Sequence, residues 1–229
     1  ASVALYSFTH AVLLPTFQYD SATNWTMRSE ISFYDHAIAF DRDETRGMAK
    51  PQYPFLFNAL EITANQGQPA WNDTAANGIH WLLSLSTLVA VFLMLRRLRG
   101  AFVALLGLTL IVTTPLFAVH LAQGYGDVTL AQLLLLSLAA LAIAIEESVF
   151  GRPPLRWLLL SAVLVASAVW TKSEGLQFGL LPWLIVSGIL SLGNPRWRRP
   201  AMMSAITAIV LAAPWPIFAA CFPDAEVAW

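Results

Sequence analysis

The chain has 229 residues, 57% of them hydrophobic and only 12% charged, with a mean hydropathy of +0.61. Soluble globular domains carry about 45–50% apolar and about 25% charged residues, so this balance excludes an ordinary soluble domain and points to a membrane protein. A net charge of −1 offers no basic face to nucleic acid, and a single cysteine, Cys221, excludes an internal disulfide and a cysteine-based metal cluster.

In chain order, residues 1–15 form an apolar stretch that starts without a methionine and reads as a first span cut at its start. The expectation is one membrane domain over residues 1–229, the N-terminal part of a longer protein. A polar segment follows, roughly 17–77. Within it, residues 24–40 interleave Trp25, Met27, Ile31, Phe33, Tyr34 and Ile38 with polar residues, which suits an amphipathic helix on a membrane surface. The charged stretch Asp41–Met48, with Gly47, predicts a loop, and Tyr53–Ile62 is a second short apolar run. Apolar runs long enough to cross about 30 Å of hydrocarbon then recur near 78–95, 101–120, 128–145, 157–171, 175–192 and 201–221. The fold expected is all-α: a polytopic transmembrane helix bundle of about seven spans with a long outer loop containing amphipathic surface helices. Pro115, Pro182, Pro214 and Pro216 fall inside these runs, where neighbouring helices or threonine hydroxyls can satisfy the freed carbonyls.

Charge predicts the orientation. Connections holding Arg96, Arg97 and Arg99, then Arg152 and Arg156, then Arg196, Arg198 and Arg199 contain eight of the thirteen basic residues. The positive-inside rule places them in the cytoplasm. Twelve of the fourteen acidic residues fall on the other side, Glu146 and Glu147 excepted. The segment 17–77, the turns at 122–127 and 171–175 and the tail after 221 are then outside.

Four places could carry chemistry. Asp20, where the first span surfaces, reads either as a general base or as an N-cap of the following helix. Asp127, in Gly124-Tyr125-Gly126-Asp127, is a helix cap after a glycine turn that can still offer an oxygen to a substrate. In Thr171-Lys172-Ser173-Glu174-Gly175, the fifteen residues between Arg156 and Lys172 cover roughly 22 Å, short of the hydrocarbon thickness. Lys172 must snorkel or sit in a polar cavity, where an ionisable group is costly and usually functional; a local pair with Glu174 is the alternative. In Lys50-Pro51-Gln52-Tyr53-Pro54 the prolines stiffen the chain on both sides of Tyr53, presenting Lys50 in a defined place unless it is an ordinary solvated lysine. The four histidines form no ligand pair and read as satisfied polar side chains. Asn24-Trp25-Thr26 and Asn72-Asp73-Thr74 fit the short glycosylation acceptor pattern, and no P-loop, HExxH or GxSxG signature is present.

The order of Tyr19-Asp20-Ser21 with Trp25 and Arg28, then Lys50-Pro51-Gln52-Tyr53-Pro54, Gly124-Tyr125-Gly126-Asp127 and Thr171-Lys172-Ser173-Glu174-Gly175 resembles the GT-C superfamily of integral membrane glycosyltransferases. That group includes the protein O-mannosyltransferases and the aminoarabinose transferase of lipid A modification. The resemblance covers residues 17–175. It implies transfer of a sugar from a polyprenyl-phosphate carrier to an acceptor, with the active site on the extracytoplasmic face of a bacterial plasma membrane. It gives Asp20 the role of catalytic base and makes Arg28, Lys50, Tyr53, Asp127, Lys172 and Glu174 substrate-binding, the cations serving the lipid phosphate. Ser21 stands where the mannosyltransferases carry a second acid, and Gln52 replaces another, so no metal or other cofactor is expected. The expected partners are the lipid-linked sugar, the bilayer and an unidentified acceptor, with no nucleic acid. The competing reading is a lipid or sugar transporter that uses the same lysines for an anionic headgroup; no inverted repeat of the transporter kind is visible.

Overall fold

Among the described helices, Asn72 and Asn194 cap helix starts with their side chains, and the long helices that follow residue 72 are predominantly apolar. The computed structural model describes residues 2–38, 53–120 and 124–221. The predicted loop Asp41–Met48, Lys50, Pro51, Gln52 and the tail after 221 lie outside the described residues.

The first helix, α1 (Ser2–Leu13), leads to a π-helical turn at Ser21–Thr26 that runs directly into α2 (Met27–Asp35). The helix expected over 24–40 is therefore a π turn plus a shorter α-helix, closed by His36 at φ 51°, in the left-handed region. The buried side of this pair is polar (Ser21, Thr26, Arg28, Ser29, Ser32) apart from Trp25, while Tyr34 and Ile38 are exposed. A soluble amphipathic helix has the reverse arrangement; this one suits a surface helix with apolar groups free for lipid. The helix α3 (Leu56–Asn65) follows.

Asn72 starts α4 (Asp73–Arg99) as a true N-cap, its side chain accepting from the N–H groups of Thr74 and Ala75. The second glycosylation-like triplet is thus a helix start. Arg96, Arg97 and Arg99 close the same helix, where cations complement the dipole. The run predicted as one span at 101–120 is broken into α5 (Ala101–Thr113) and α6 (Pro115–His120). Thr114, just before the proline, is extended at ψ 114°, because proline crowds the helical region for the residue ahead of it. After α7 (Gly126–Val149) and α8 (Leu155–Thr171), a second π turn at Leu176–Leu180 leads into α9 (Leu181–Gly193), with Pro182 in its first turn. The last predicted span comprises α10 (Pro195–Ala212) and α11 (Pro214–Ala220), joined through Ala213, which stays helical at φ −56°, ψ −36°, and it begins before residue 201, taking in Arg196, Arg198 and Arg199.

Four helical stretches among the described residues are long and apolar enough to cross a membrane: Asp73–Arg99, Gly126–Val149, Leu176–Gly193 and Pro195–Ala220. Ala101–Thr113 and Leu155–Thr171 are apolar but shorter. The protein is a polytopic helical membrane bundle. Its core lies where α7, α8, α9 and α10 meet, around Ala144, Leu158, Val165, Trp183 and Trp197. Alanines such as Ala140, Ala162 and Ala208 are fully buried, which lets helix backbones approach closely in a setting where hydrophobicity alone does not drive association. Polar pairs tie these helices: Ser137 and Ser161 exchange hydrogen bonds at 2.8–3.0 Å and Trp183 Nε1 donates to Ser161 Oγ at 2.7 Å, while Gln132 of α7 donates to Ser84 Oγ of α4 at 2.6 Å. By contrast α5 buries only Ala104.

The arginine connections gather at one end. Glu147, 2% exposed, pairs with Arg97, with Arg156 at 3.4 Å and with Arg152 at 3.6 Å; Arg97 also reaches Glu146 at 3.1 Å. Trp157 lies beneath both Arg97 and Arg156 at 5.4 and 5.6 Å. Trp197 Nε1 donates to Ser148, bringing the third arginine connection to this end as well. The acidic exceptions Glu146 and Glu147 are thus explained by pairing.

Candidate functional site at the opposite end

Three of the separated sequence elements meet at the other end of the bundle. Lys172 caps the C-terminus of α8 in an extended conformation, so its side chain turns away from the helix. Its ammonium donates to Asp127 at 2.6 Å and to Glu174 at 3.2 Å, and it lies 5.8 Å from the centre of the Tyr53 ring. The lysine side chain is 13% exposed and that of Asp127 57%. Burial opposes the charged ammonium, but the hydrogen bonds and charges of Asp127 and Glu174 outweigh it, holding Lys172 above its ordinary value. The short α8 thus leaves the lysine in a polar pocket, and the local pair with Glu174 exists beside the longer-range one.

Asp127 sits in the first turn of α7, whose N-cap position is Tyr125; no side-chain cap is formed there. Asp20 does not cap either. It is helical at φ −67°, ψ −39°, continuous with the π turn, and one of its oxygens accepts from Asn24 one turn on. Capping needs extended backbone at that position, so the cap readings fail for both aspartates. Ser21 Oγ donates to Gly124 O at 2.6 Å, which joins the Asp20 segment to the turn leading to Asp127.

Aromatic rings fill the space between these segments. Trp25 stacks on Tyr53 at 5.1 Å and packs on Phe57 at 4.9 Å. Both glycines of the 124–127 element are there for close approach: a Cβ on Gly126 would lie 2.4 Å from Trp25, and one on Gly124 would lie 2.7 Å from His80. The Tyr53 hydroxyl is pushed up first by burial, with Lys172 opposing and the carboxylates of Glu174, Asp127 and Asp20 adding to it. Tyr125 is raised by burial and by Asp20 and Asp127. Both tyrosines therefore sit within the field of Asp20 and Asp127, and Tyr53 also within that of Glu174.

Arg28 occupies a different place. It is almost wholly buried, donates from Nη1 to the Tyr53 carbonyl at 2.5 Å and lies over the Phe55 ring at 5.0 Å. Burial lowers it to about 10, still charged at neutral pH. It fastens the segment that carries Tyr53.

Sequence reasoning missed the polar layer directly below. Asn58, Glu61 and Asn65 form a wholly buried stripe along α3. Glu61 Oε1 accepts from Thr26 Oγ1 at 3.2 Å and lies 3.4 Å from His80 Nε2, while Oε2 has no hydrogen-bond partner among the described residues. His80, expected to be satisfied, has none at either ring nitrogen and stacks on Phe57 at 4.1 Å. The signal available was an acid set inside the apolar run Tyr53–Ile62. Among the described residues no group of three or more histidine, cysteine or acidic side chains is arranged to hold a metal.

A polytopic helical bundle with an ion-paired, aromatic-walled site at one end is the class that fold and geometry define. The chain belongs to the dolichyl-phosphate-mannose-protein mannosyltransferase family, whose model matches residues 70–218, and so to the GT-C glycosyltransferases. Among solved structures it is similar to ArnT from Cupriavidus metallidurans in the apo state, with a TM-score of 0.71 and 18% identity over 97% of this chain. At that identity the likeness speaks for the fold. The match covers 41% of the ArnT chain, so this sequence spans about two-fifths of that protein's length. No curated protein matches in sequence.

Proposed function

We propose that this chain carries the donor site of a membrane glycosyltransferase that moves a sugar from a polyprenyl-phosphate carrier to an acceptor hydroxyl on the extracytoplasmic face of a bacterial plasma membrane. The observation that carries the proposal is the meeting of Lys172, Asp127, Glu174 and Tyr53 at the end of the bundle opposite the arginines. Family membership supports the reaction class and the donor class. The arginine distribution supports the face.

The chemistry needs few groups. The acceptor oxygen attacks the anomeric carbon, the bond from that carbon to the phosphate oxygen breaks, and the phosphate leaves with the electron pair. The acceptor proton passes to a base, for which Asp20 is suited: Asn24 holds one of its oxygens and leaves the other for the acceptor. Lys172 answers the charge on the departing phosphate, joined by Lys50 from the same predicted face. Asp127 and Glu174 hold Lys172 charged and in place until the headgroup arrives, and Tyr53, backed by the buried Trp25, forms an apolar wall for the sugar or the first carrier unit. Arg28 supports Tyr53 from behind and adds positive charge below the site.

The test uses the full-length protein in membranes supplied with polyprenyl-phosphate mannose or polyprenyl-phosphate aminoarabinose, following release of the polyprenyl phosphate. Asp20→Asn should lower transfer by about 10²–10⁴-fold, the usual contribution of a general base. Full activity in that variant would remove Asp20 from the mechanism. Carrier that crosses the membrane with its sugar intact, in the wild-type protein and with both donors, would instead favour the transporter reading.

A further inference from the structure

We propose that Glu61 is a positioning residue for the transfer reaction, fixing through Thr26 the π turn that carries Asp20 at its start and Trp25 near its end. The proposal rests on the reading of Asp20 as the base.

A π turn spaces its carbonyls out of α-helical register, so its hydrogen bonds need help from outside. Here α3 supplies it. Asn58 Nδ2 donates to the Trp25 carbonyl and to Ser29 Oγ, both at 2.8 Å, and Glu61 Oε1 takes the Thr26 hydroxyl at 3.2 Å. Asn65, one turn further, accepts the Asn72 N–H at 2.8 Å and so ties the same stripe to the start of α4. All three side chains have no exposed surface. A neutral acceptor would have served Thr26 as well, yet the position holds a carboxylate, which is costly to bury. His80 from α4 faces it at 3.4 Å, with Phe57 stacked on the imidazole and Gly124 against both rings. The groups facing Glu61 are thus Thr26 from the π turn and His80 from α4, and Gly124 belongs to the same element as Asp127. A side chain held between the base-bearing turn and, through His80, the Asp127 turn sets their relative position. It reaches no open surface, so it acts on the reaction only through them.

Positioning of a base affects the chemical step, and a misplacement of about 1 Å can cost on the order of a hundredfold. Donor affinity rests on Lys172 and its neighbours, which Glu61 does not touch. In full-length protein assayed with polyprenyl-phosphate mannose, Glu61→Met, which removes the acceptor, and Thr26→Val should each lower kcat by about tenfold or more, with the donor KM within about twofold of wild type. The double variant should be no slower than the worse single one, because both act through one hydrogen bond. Thr26→Ser, which keeps the hydroxyl, should recover most of the rate. If Glu61→Met does not fold, the contrast between Thr26→Ser and Thr26→Val decides alone. Equal rates for serine and valine, additive losses, or a rise in KM that matches the fall in kcat would each overturn the proposal. Asp20→Asn measured alongside separates the two readings: an inactive Asp20 variant beside unaffected Glu61 and Thr26 variants refutes the positioning role alone. An active Asp20 variant refutes the base assignment and removes the ground on which this inference stands.

Discussion

Replacing Gly126 with alanine is the sharpest test of how the site is packed. Its Cβ would lie 2.4 Å from Cη2 and Cζ2 of Trp25 and 2.9 Å from Cε2, whereas carbon atoms in contact rest about 3.5–4.0 Å apart. The indole would have to retreat by about 1 Å or more. It has nowhere to go, because Trp25 is 1% exposed, with Tyr53 stacked on it and Phe57 against it. Overpacking of this kind costs about 1–3 kcal/mol. The same substitution at Gly78 in α4 meets nothing within 4 Å and should stabilise by about 0.5–1 kcal/mol through helix propensity. The two alanine variants therefore differ in sign, by about 1.5–4 kcal/mol in all. Thermal melting of the full-length protein in one detergent reads the difference directly. Displacement of Trp25 also moves Tyr53, so Gly126→Ala should lose transfer activity at temperatures where it is still folded. If Gly126→Ala melts at or above the Gly78→Ala variant, the close contact is not a constraint and the aromatic wall is looser than described.

Burial and the Asp73 charge raise the Glu30 carboxyl above its ordinary value. The native form then binds the extra proton, so this residue costs stability as pH rises from the ordinary glutamate range through the raised value. Glu30→Gln should melt higher than wild type at pH 8, with the advantage gone at pH 4, in paired melting curves. At the arginine end, Glu147→Ala should lower the melting midpoint more than Glu146→Ala, since Glu147 serves three arginines and Glu146 one; equal falls would mean the cluster is not centred on Glu147. In the core, Ser161→Ala leaves the Trp183 N–H without its acceptor and should cost about 1–3 kcal/mol, against about 1 kcal/mol for Ser137→Ala, in the same melts.

The sequence announces its spans because lipid demands long apolar runs, and it announces the two ends because arginines crowd one of them. Hydropathy averages over the break at Thr114-Pro115, which depends on how proline crowds one preceding residue. The elements around Asp127 and Lys172 were legible as motifs, and the ion pair joining them follows from the shortness of α8. The state of Asp20 was not legible. Whether an aspartate caps a helix or lies within one turns on backbone angles that a π turn alters and no residue type signals. Glu61 and His80 were hidden for another reason: each looks ordinary alone, and only the packing of α3 on α4 brings them within 3.4 Å.

The hairpin of α7 and α8 has a consequence for how the protein enters the membrane. Polar pairs join the two helices at three levels: Asp127 with Lys172 at one end, Ser137 with Ser161 in the middle, and Glu147 with Arg156 at the other end. A lone α8 would cross with a lysine at one margin and two serines, Ser161 and Ser167, along its length, each costly or in need of a local partner in hydrocarbon. Within the bundle, its most exposed apolar side chains are Leu160 and Val163. The two helices are thus suited to leave the insertion machinery together, with the Lys172 charge already neutralised during passage.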